Sequence, residues 1–131
     1  MTNIEIINEA FAKGFENTDK KVISEAVNQT LSDLDQGLIR VSENNNGEWV
    51  VNEWIKKAIL LSFRLNDNKC IDMNYTKYYD KVDSKFIHTT EEYLKEKNIR
   101  IVPQAIARYG SFIDNNVVLM PSFVNIGAYV G

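Results

Sequence analysis

The sequence predicts an α/β chain in two unlike parts: a small helical N-terminal domain with a short β-hairpin, then a repeating segment of short strands. Three observations predict it. Apolar residues recur at helical spacing behind capping signals. An asparagine-rich turn between alternating segments marks a hairpin. From Ile106 the apolar period becomes six.

Taken in order, Thr2-x-x-Glu5 reads as a capping box, with Ile6, Ile7, Ala10 and Phe11 on one face and Gly14 closing the helix. A second helix is expected from about Thr18 to Gln36. Ile23, Val27, Leu31 and Leu34 share its apolar face, and Gly37 stands where a left-handed residue is wanted. Each helix can bury only one stripe, and a small sheet is the expected support. Leu38 to Ser42 and Glu48 to Val51 alternate around Asn44-Asn45-Asn46-Gly47, whose residues tolerate positive φ. Asn52 is placed to cap a third helix, Glu53 to Leu65, with Trp54, Ala58, Leu61 and Leu65 on one face and Ile55, Ile59 and Phe63 beside them. Asn66-Asp67-Asn68 then turns the chain. A short strand near Lys69–Met73, a tyrosine-rich connection, a second capping box at Thr89-x-x-Glu92 and a helix to about Lys97 follow. Arg100-Ile101-Val102 is a short strand stopped by Pro103.

Ile106, Phe112, Val118, Val124 and Val130 fall on one six-residue register, and Gly110, Asn116, Ser122 and Ala128 follow the first four of them at the same offset. A helix repeats every three or four residues and a strand every two, so neither explains a period of six. Short flat sides with aliphatic leads stacked inside and small residues near the corners describe a parallel β-helix; the alternative is chance periodicity in an apolar tail. The spacing does not set the handedness. Two parts result: residues 1–103 as the N-terminal α/β domain and 104–131 as the start of the hexapeptide repeat.

Composition narrows the function classes. The chain has 131 residues, 44% of them hydrophobic, and a net charge of −3. It can bury a real core, and no basic field favours a nucleic acid. One cysteine, Cys70, leaves no internal disulfide, and one His with one Cys cannot build a common four-ligand zinc site. The longest apolar run, Ala58 to Leu61, is far too short for a bilayer, and the first residues lack a leader pattern. No nucleic-acid or membrane partner is expected, and a cytoplasmic location is.

Glu25 to Gln29, Trp54 to Asn68 (WIKKAILLSFRLNDN), Tyr79 to Val82, Arg100 to Pro103 and Val118 to Val130 together resemble one enzyme family, the tetrahydrodipicolinate N-succinyltransferases of lysine and diaminopimelate synthesis. The resemblance covers nearly the whole chain and is weakest over the first helix and between Asp72 and Tyr78. It implies a helical domain joined to a left-handed β-helix, assembled as a homotrimer with active sites between neighbouring β-helices. The implied activity moves succinyl from succinyl-coenzyme A, a co-substrate, to tetrahydrodipicolinate, with no permanently bound cofactor and no metal. The amine attacks the thioester directly, so no enzyme nucleophile is needed. Arg100 matches the family's substrate-carboxylate arginine, and a guanidinium fork suits a dicarboxylate. Its alternative is a salt bridge between the two parts.

In the family the segment matching Ala128-Tyr129-Val130 is usually followed by an acidic residue, and here Gly131 follows it. The family's catalytic aspartate lies in the next coil and its coenzyme A surface beyond that. The resemblance therefore implies catalytic residues downstream of Gly131. The expectation is a fragment with no catalytic or coenzyme-binding residue of its own, inactive by itself.

Two rivals stay open: another hexapeptide-repeat transferase acting on a sugar nucleotide or a different amine, and a non-catalytic module capping a partner's β-helix. Among single residues, Arg64 suits its helix C-terminus and Arg108 is expected to face solvent or a neighbouring subunit. His88 reads as an exposed loop residue, Cys70 as a small buried hydrophobe, Trp49 and Trp54 as core anchors, and Asp80 and Asp114 as solvated loop positions.

Overall fold

The computed structural model describes residues 1–131 and contains four helices and ten short strands. Helix α1 (Asn3–Lys13) starts from a complete capping box. The Glu5 amide donates to Thr2 Oγ1 at 3.2 Å, the Thr2 amide donates to Glu5 Oε2 at 2.7 Å, and Gly14 closes the helix at φ 77°. Helix α2 (Lys20–Asp35) begins two residues later than Thr18 because Asp19 is the cap, accepting from the Lys21 amide at 2.9 Å. Gly37 has φ 74°.

The support for these helices is not a sheet. Helix α3 (Glu53–Leu65) completes a three-helix cluster in which Ile7, Ile23, Val27, Ile55, Ala58 and Leu61 are all fully buried. The expected hairpin forms, as β1 (Ser42–Asn45) paired antiparallel with β2 (Glu48–Val51) around Asn46-Gly47 at φ 54° and 90°. Two positive-φ residues match the twist of a tight hairpin, and the pairing is drawn close to that turn, leaving Leu38 outside it and exposed. Nothing packs over the ribbon, so Trp49 is exposed too; Trp54, on α3, does pack on the core. Asn52 occupies the N-cap position without a side-chain cap bond. Its amide Nδ2 donates to the Arg40 carbonyl at 2.8 Å, tying the hairpin base to the helix start.

The tyrosine-rich connection is a strand. β3 (Lys69–Met73) pairs antiparallel with β4 (Thr76–Asp80) around Asn74 at φ 42°. Tyr78 and Tyr79 have the aromatic strand preference that predicts this, but their lack of apolar alternation hides it. Cys70 lies on this ribbon opposite Tyr79 and is exposed, because a two-stranded ribbon buries neither edge residue. Helix α4 (Glu91–Lys97) is capped by Thr90, which accepts from the Tyr93 amide at 3.2 Å, one residue after the expected Thr89.

From Arg100 the chain returns on itself in parallel. β5 (Arg100–Ile101) pairs with β8 (Val118–Leu119), β6 (Ile106–Ala107) with β9 (Phe123–Val124), and β7 (Phe112–Ile113) with β10 (Tyr129–Val130). The interior register differs from the expected one. Ile106 and Val118 are exposed and Phe112 is only half-buried, while Ala107, Ile113, Leu119 and Val124 form the inner column with Ile99, packed on by Ile101 and Val130. In a strand of two residues the neighbours point to opposite faces, so a shift of one exchanges inside for outside. Period alone cannot tell which of Ile106 or Ala107 points in. Val124 and Val130 fit both registers because the corner after Leu119, at Met120-Pro121-Ser122, is one residue shorter than the others. The remaining corners carry positive φ at Gln104, Gly110, Asn116 and Gly127. Gly110 and Asn116 are thus the small corner residues expected, whereas Ser122 and Ala128 have no left-handed backbone.

Candidate functional site

The outer faces of the parallel strands and the seam joining them to the helices hold most of the singled-out polar residues. Arg100 sits on β5, where its amide donates to the Val117 carbonyl at 3.1 Å and its strand partner is Val118. Its side chain is exposed and makes neither an ion pair nor a side-chain hydrogen bond. A salt bridge between the two parts of the chain therefore does not involve Arg100. Three clefts, of about 220, 310 and 230 Å³, do not include it either. Gly131, after which the resemblance puts the catalytic residues, directly follows β10 and is exposed. A Cβ there would meet only the Tyr129 ring, at 3.7 Å. Gly131 has no side chain to act with, so it is not itself a site residue.

The seam is bridged by other residues. Asp35, the last residue of α2, holds Lys85 Nζ at 3.0 Å, with the lysine side chain 9% exposed and the aspartate 21%. Lys85 Nζ also donates to the Asp35 carbonyl at 2.8 Å, and the Gly110 amide donates to Asp35 Oδ1 at 3.0 Å. One carboxylate thus fastens the helix end both to the loop after β4 and to a corner of the parallel segment. Burial leaves few other partners for either charge, which is what makes such a pair costly to break from one side. Beside it, Tyr109 packs on the helical core. Burial pushes its phenol above the ordinary range, and nearby Asp35 and Asp33 add to this against an opposing bond with Ser32.

Arg108, expected to face outward, instead pairs within the chain. Its Nη2 lies 3.1 Å from Asp80 Oδ2 and its Nη1 donates to Asn125 Oδ1 at 3.0 Å. The hairpin β3–β4 brings Asp80 to this place, so Asp80 is not a free loop residue. Burial raises its carboxyl, but the Lys81 amide, the Arg108 guanidinium and the Val82 amide outweigh that and hold it below the usual value. Arg64 remains at the end of α3, 5.5 Å from the Phe11 ring centroid, as its structural reading requires. His88 is exposed, and Asp114 is half-buried, accepting from the Asn115 amide at 2.7 Å.

Besides a cleft of about 310 Å³ lined by Asp35, Lys85 and His88 among others, two clefts flank this seam. One of about 220 Å³ is lined by Ser62, Lys69, Lys81, Asp83 and Tyr109 among others. The second, of about 230 Å³ and more apolar, lies between the β3–β4 ribbon and Ile106 and Phe123. Lys69 pairs with Asp83 at 3.3 Å and Arg108 with Asp80, while Lys81 donates to the Phe63 carbonyl at 3.1 Å. A carboxylate-binding role is chemically open to the unpaired Arg100, and Arg40, which no sequence pattern singles out, is also unpaired.

Comparison with known proteins gives the context. Residues 3–65 match the family described as Tetrahydrodipicolinate N-succinyltransferase N-terminal. The 2,3,4,5-tetrahydropyridine-2,6-dicarboxylate N-succinyltransferase of Acinetobacter baylyi is 58% identical over 108 residues, which is 82% of this chain and 40% of that protein. The protein of the same description from Acinetobacter baumannii is 57% identical over 106 residues, 81% of this chain and 39% of that protein. The chain therefore spans about two-fifths of the length of the curated relatives it matches.

Proposed function

We propose, from the premise that this chain is similar to the N-terminal portion of tetrahydrodipicolinate N-succinyltransferases, that it serves the acceptor side of a succinyl transfer. The observation that carries the reading is 58% identity over 108 residues to an enzyme of that description. In this reading succinyl passes from succinyl-coenzyme A to the acceptor nitrogen of tetrahydrodipicolinate. Water adds to the C=N bond of the cyclic acceptor and opens the ring to a ketone and a free amine. The amide bond then forms as the thioester breaks, and the coenzyme leaves as the free thiol with the proton removed from that amine. Neither substrate is a resident cofactor.

Residues 1–103 are then the N-terminal α/β domain and 104–131 the opening of a left-handed parallel β-helix. The three parallel pairs, at offsets of 17 or 18 residues, and the positive-φ corners support a triangular coil. The hand rests on the resemblance alone. A homotrimer would set the outer face bearing Arg100 against a neighbour's, and an unpaired guanidinium on a rigid strand suits one carboxylate of the acceptor. The 131-residue polypeptide by itself is expected to transfer no succinyl, since no aspartate here stands beside Arg100 as a base and the family's own is expected after Gly131.

The test is a chimera in which this chain replaces the matching segment of the Acinetobacter baylyi enzyme. Thiol release from succinyl-coenzyme A that depends on the acceptor is the expected result. Arg100→Ala in that chimera should weaken the acceptor by roughly tenfold or more, with Arg100→Lys recovering only part. Donor affinity should be unchanged. An inactive, folded chimera would overturn the reading of the chain. Equal loss for both substrates would overturn only the role of Arg100.

A further inference from the structure

We propose that Arg40, stacked on Tyr129, is a seat for the carboxylate of a small-molecule ligand, gripped end-on by Nη1 and Nη2. Its guanidinium carbon lies 3.6 Å from the Tyr129 ring centroid, and that ring in turn contacts Phe112 at 4.6 Å between centroids. Arg40 Nε is the one buried side-chain nitrogen or oxygen in the chain without a hydrogen-bond partner. The two Nη atoms make no hydrogen bond within the chain and are not among the buried unpartnered atoms, so they reach the surface. No carboxylate lies within ion-pair distance.

A cation partly removed from water and left without a counter-charge is a place where an anion gains most. The tyrosine face offsets only part of the desolvation. The geometry also selects the anion. With its central carbon 3.6 Å over the ring and its Nε buried, the guanidinium keeps Nη1 and Nη2 as two free donors, which match the two oxygens of a carboxylate. The seat is held firmly from both sides. Asn52 Nδ2 binds the Arg40 carbonyl at 2.8 Å, and Gly37 lets Phe112 approach so closely that a Cβ there would lie 2.7 Å from the ring. It is separate from Arg100, which lies on the β5–β8 pair, whereas Tyr129 belongs to β7–β10. The proposal therefore stands whether or not the acceptor reading holds.

The experiment is an NMR titration of the isotopically labelled chain with sodium succinate, following the Arg40 Nε–H and the Tyr129 and Phe112 ring protons. Sodium chloride and sodium phosphate at matched ionic strength are the controls. A saturable succinate shift in about the millimolar range is expected, with no saturation in chloride. Arg40→Lys should weaken it by about tenfold, because an ammonium lacks the fork. Arg40→Gln should abolish it while leaving the amide spectrum native. Should Arg40→Gln not fold, Tyr129→Leu decides: it keeps the cation, removes the stack, and should also weaken binding. No saturation with succinate, an equal response to chloride, phosphate binding as tightly as succinate, or undiminished binding in these variants would each overturn the proposal.

Discussion

The three-helix cluster and the parallel segment bury similar aliphatic residues in different ways. In the first, Ile7, Ile23, Val27, Ile55 and Leu61 come from three long helices and are enclosed on every side. In the second, Ala107, Ile113, Leu119 and Val124 come from strands of two residues and form a column, each member 3–9% exposed. A helix presents its apolar stripe by local hydrogen bonding and needs a partner only for burial. The short strands have no local bonds, so their backbone pairing and their burial arrive together, through contacts 17 or 18 residues apart. The seam joins the two by a few close contacts: Asp35 to Lys85 and Gly110, Gly37 to Phe112, Arg40 to Tyr129, and Gly127 to Val41 and Ile59.

The largest effect should separate the two cores. Leu61→Ala, in the closed cluster, is expected to cost about 3–5 kcal/mol, and Leu119→Ala only about 2 kcal/mol, because the column can relax toward solvent. Urea unfolding of both variants checks this. Equal losses would show that the column is as tightly closed as the helical core. Next is the seam. Asp35→Ala leaves Lys85 with only the residue-35 carbonyl and removes the acceptor of the Gly110 amide, and should cost about 3 kcal/mol, whereas Asp35→Leu with Lys85→Met should recover most of it. A double variant as unstable as the single one would mean that the hydrogen bonds to Gly110 and the helix end matter more than the charge pair.

The glycines give a smaller, sharper contrast. Gly37 and Gly14 have nearly the same φ, 74° and 77°, but a Cβ at Gly37 meets three Phe112 ring atoms at 2.7–2.8 Å, and one at Gly14 meets nothing within 4 Å. Gly14, with ψ −166°, lies in a region that only glycine enters readily, so Gly14→Ala should cost about 1–3 kcal/mol from backbone strain alone. Gly37→Ala should add about 1–3 kcal/mol of overpacking and loosen the seam. Thermal unfolding and hydrogen exchange at Phe112 measure both.

The smallest effect is with pH. Asp80 has a folded carboxyl below its ordinary value of 3.8, so its contribution is present above that value and is lost as pH falls through the folded one. Its side chain is 42% exposed, so solvent screening keeps the contribution under about 1 kcal/mol. Asp80→Asn should flatten the acid limb of the stability profile slightly. Tyr109 acts in the opposite direction: its phenol is raised, so its share is present below pH 10 and is lost as pH rises through the folded value. Tyr109→Phe should flatten the alkaline limb, and an unchanged alkaline limb would remove the buried phenol from the account.

What the sequence determined by itself was whatever is encoded within a few residues. The capping box at Thr2 and Glu5, the faces of α1 to α3, the Asn46-Gly47 turn and the positive φ of Gly14 and Gly37 all follow from hydrogen bonds and sterics inside one turn. The long segments quoted for the resemblance likewise pointed to the family matched over residues 3–65. Tertiary structure decided what depends on distant neighbours. It turned Ala107 rather than Ile106 inward, because strand alternation leaves either choice locally equal and only the partner strand's column selects one. It gave Arg108 to Asp80 and Lys85 to Asp35, pairs separated by 28 and 50 residues, and it left Arg40 on Tyr129 without a counter-charge. A charged side chain carries no local signal of its partner, since Coulomb attraction acts on whatever the packed elements bring near it.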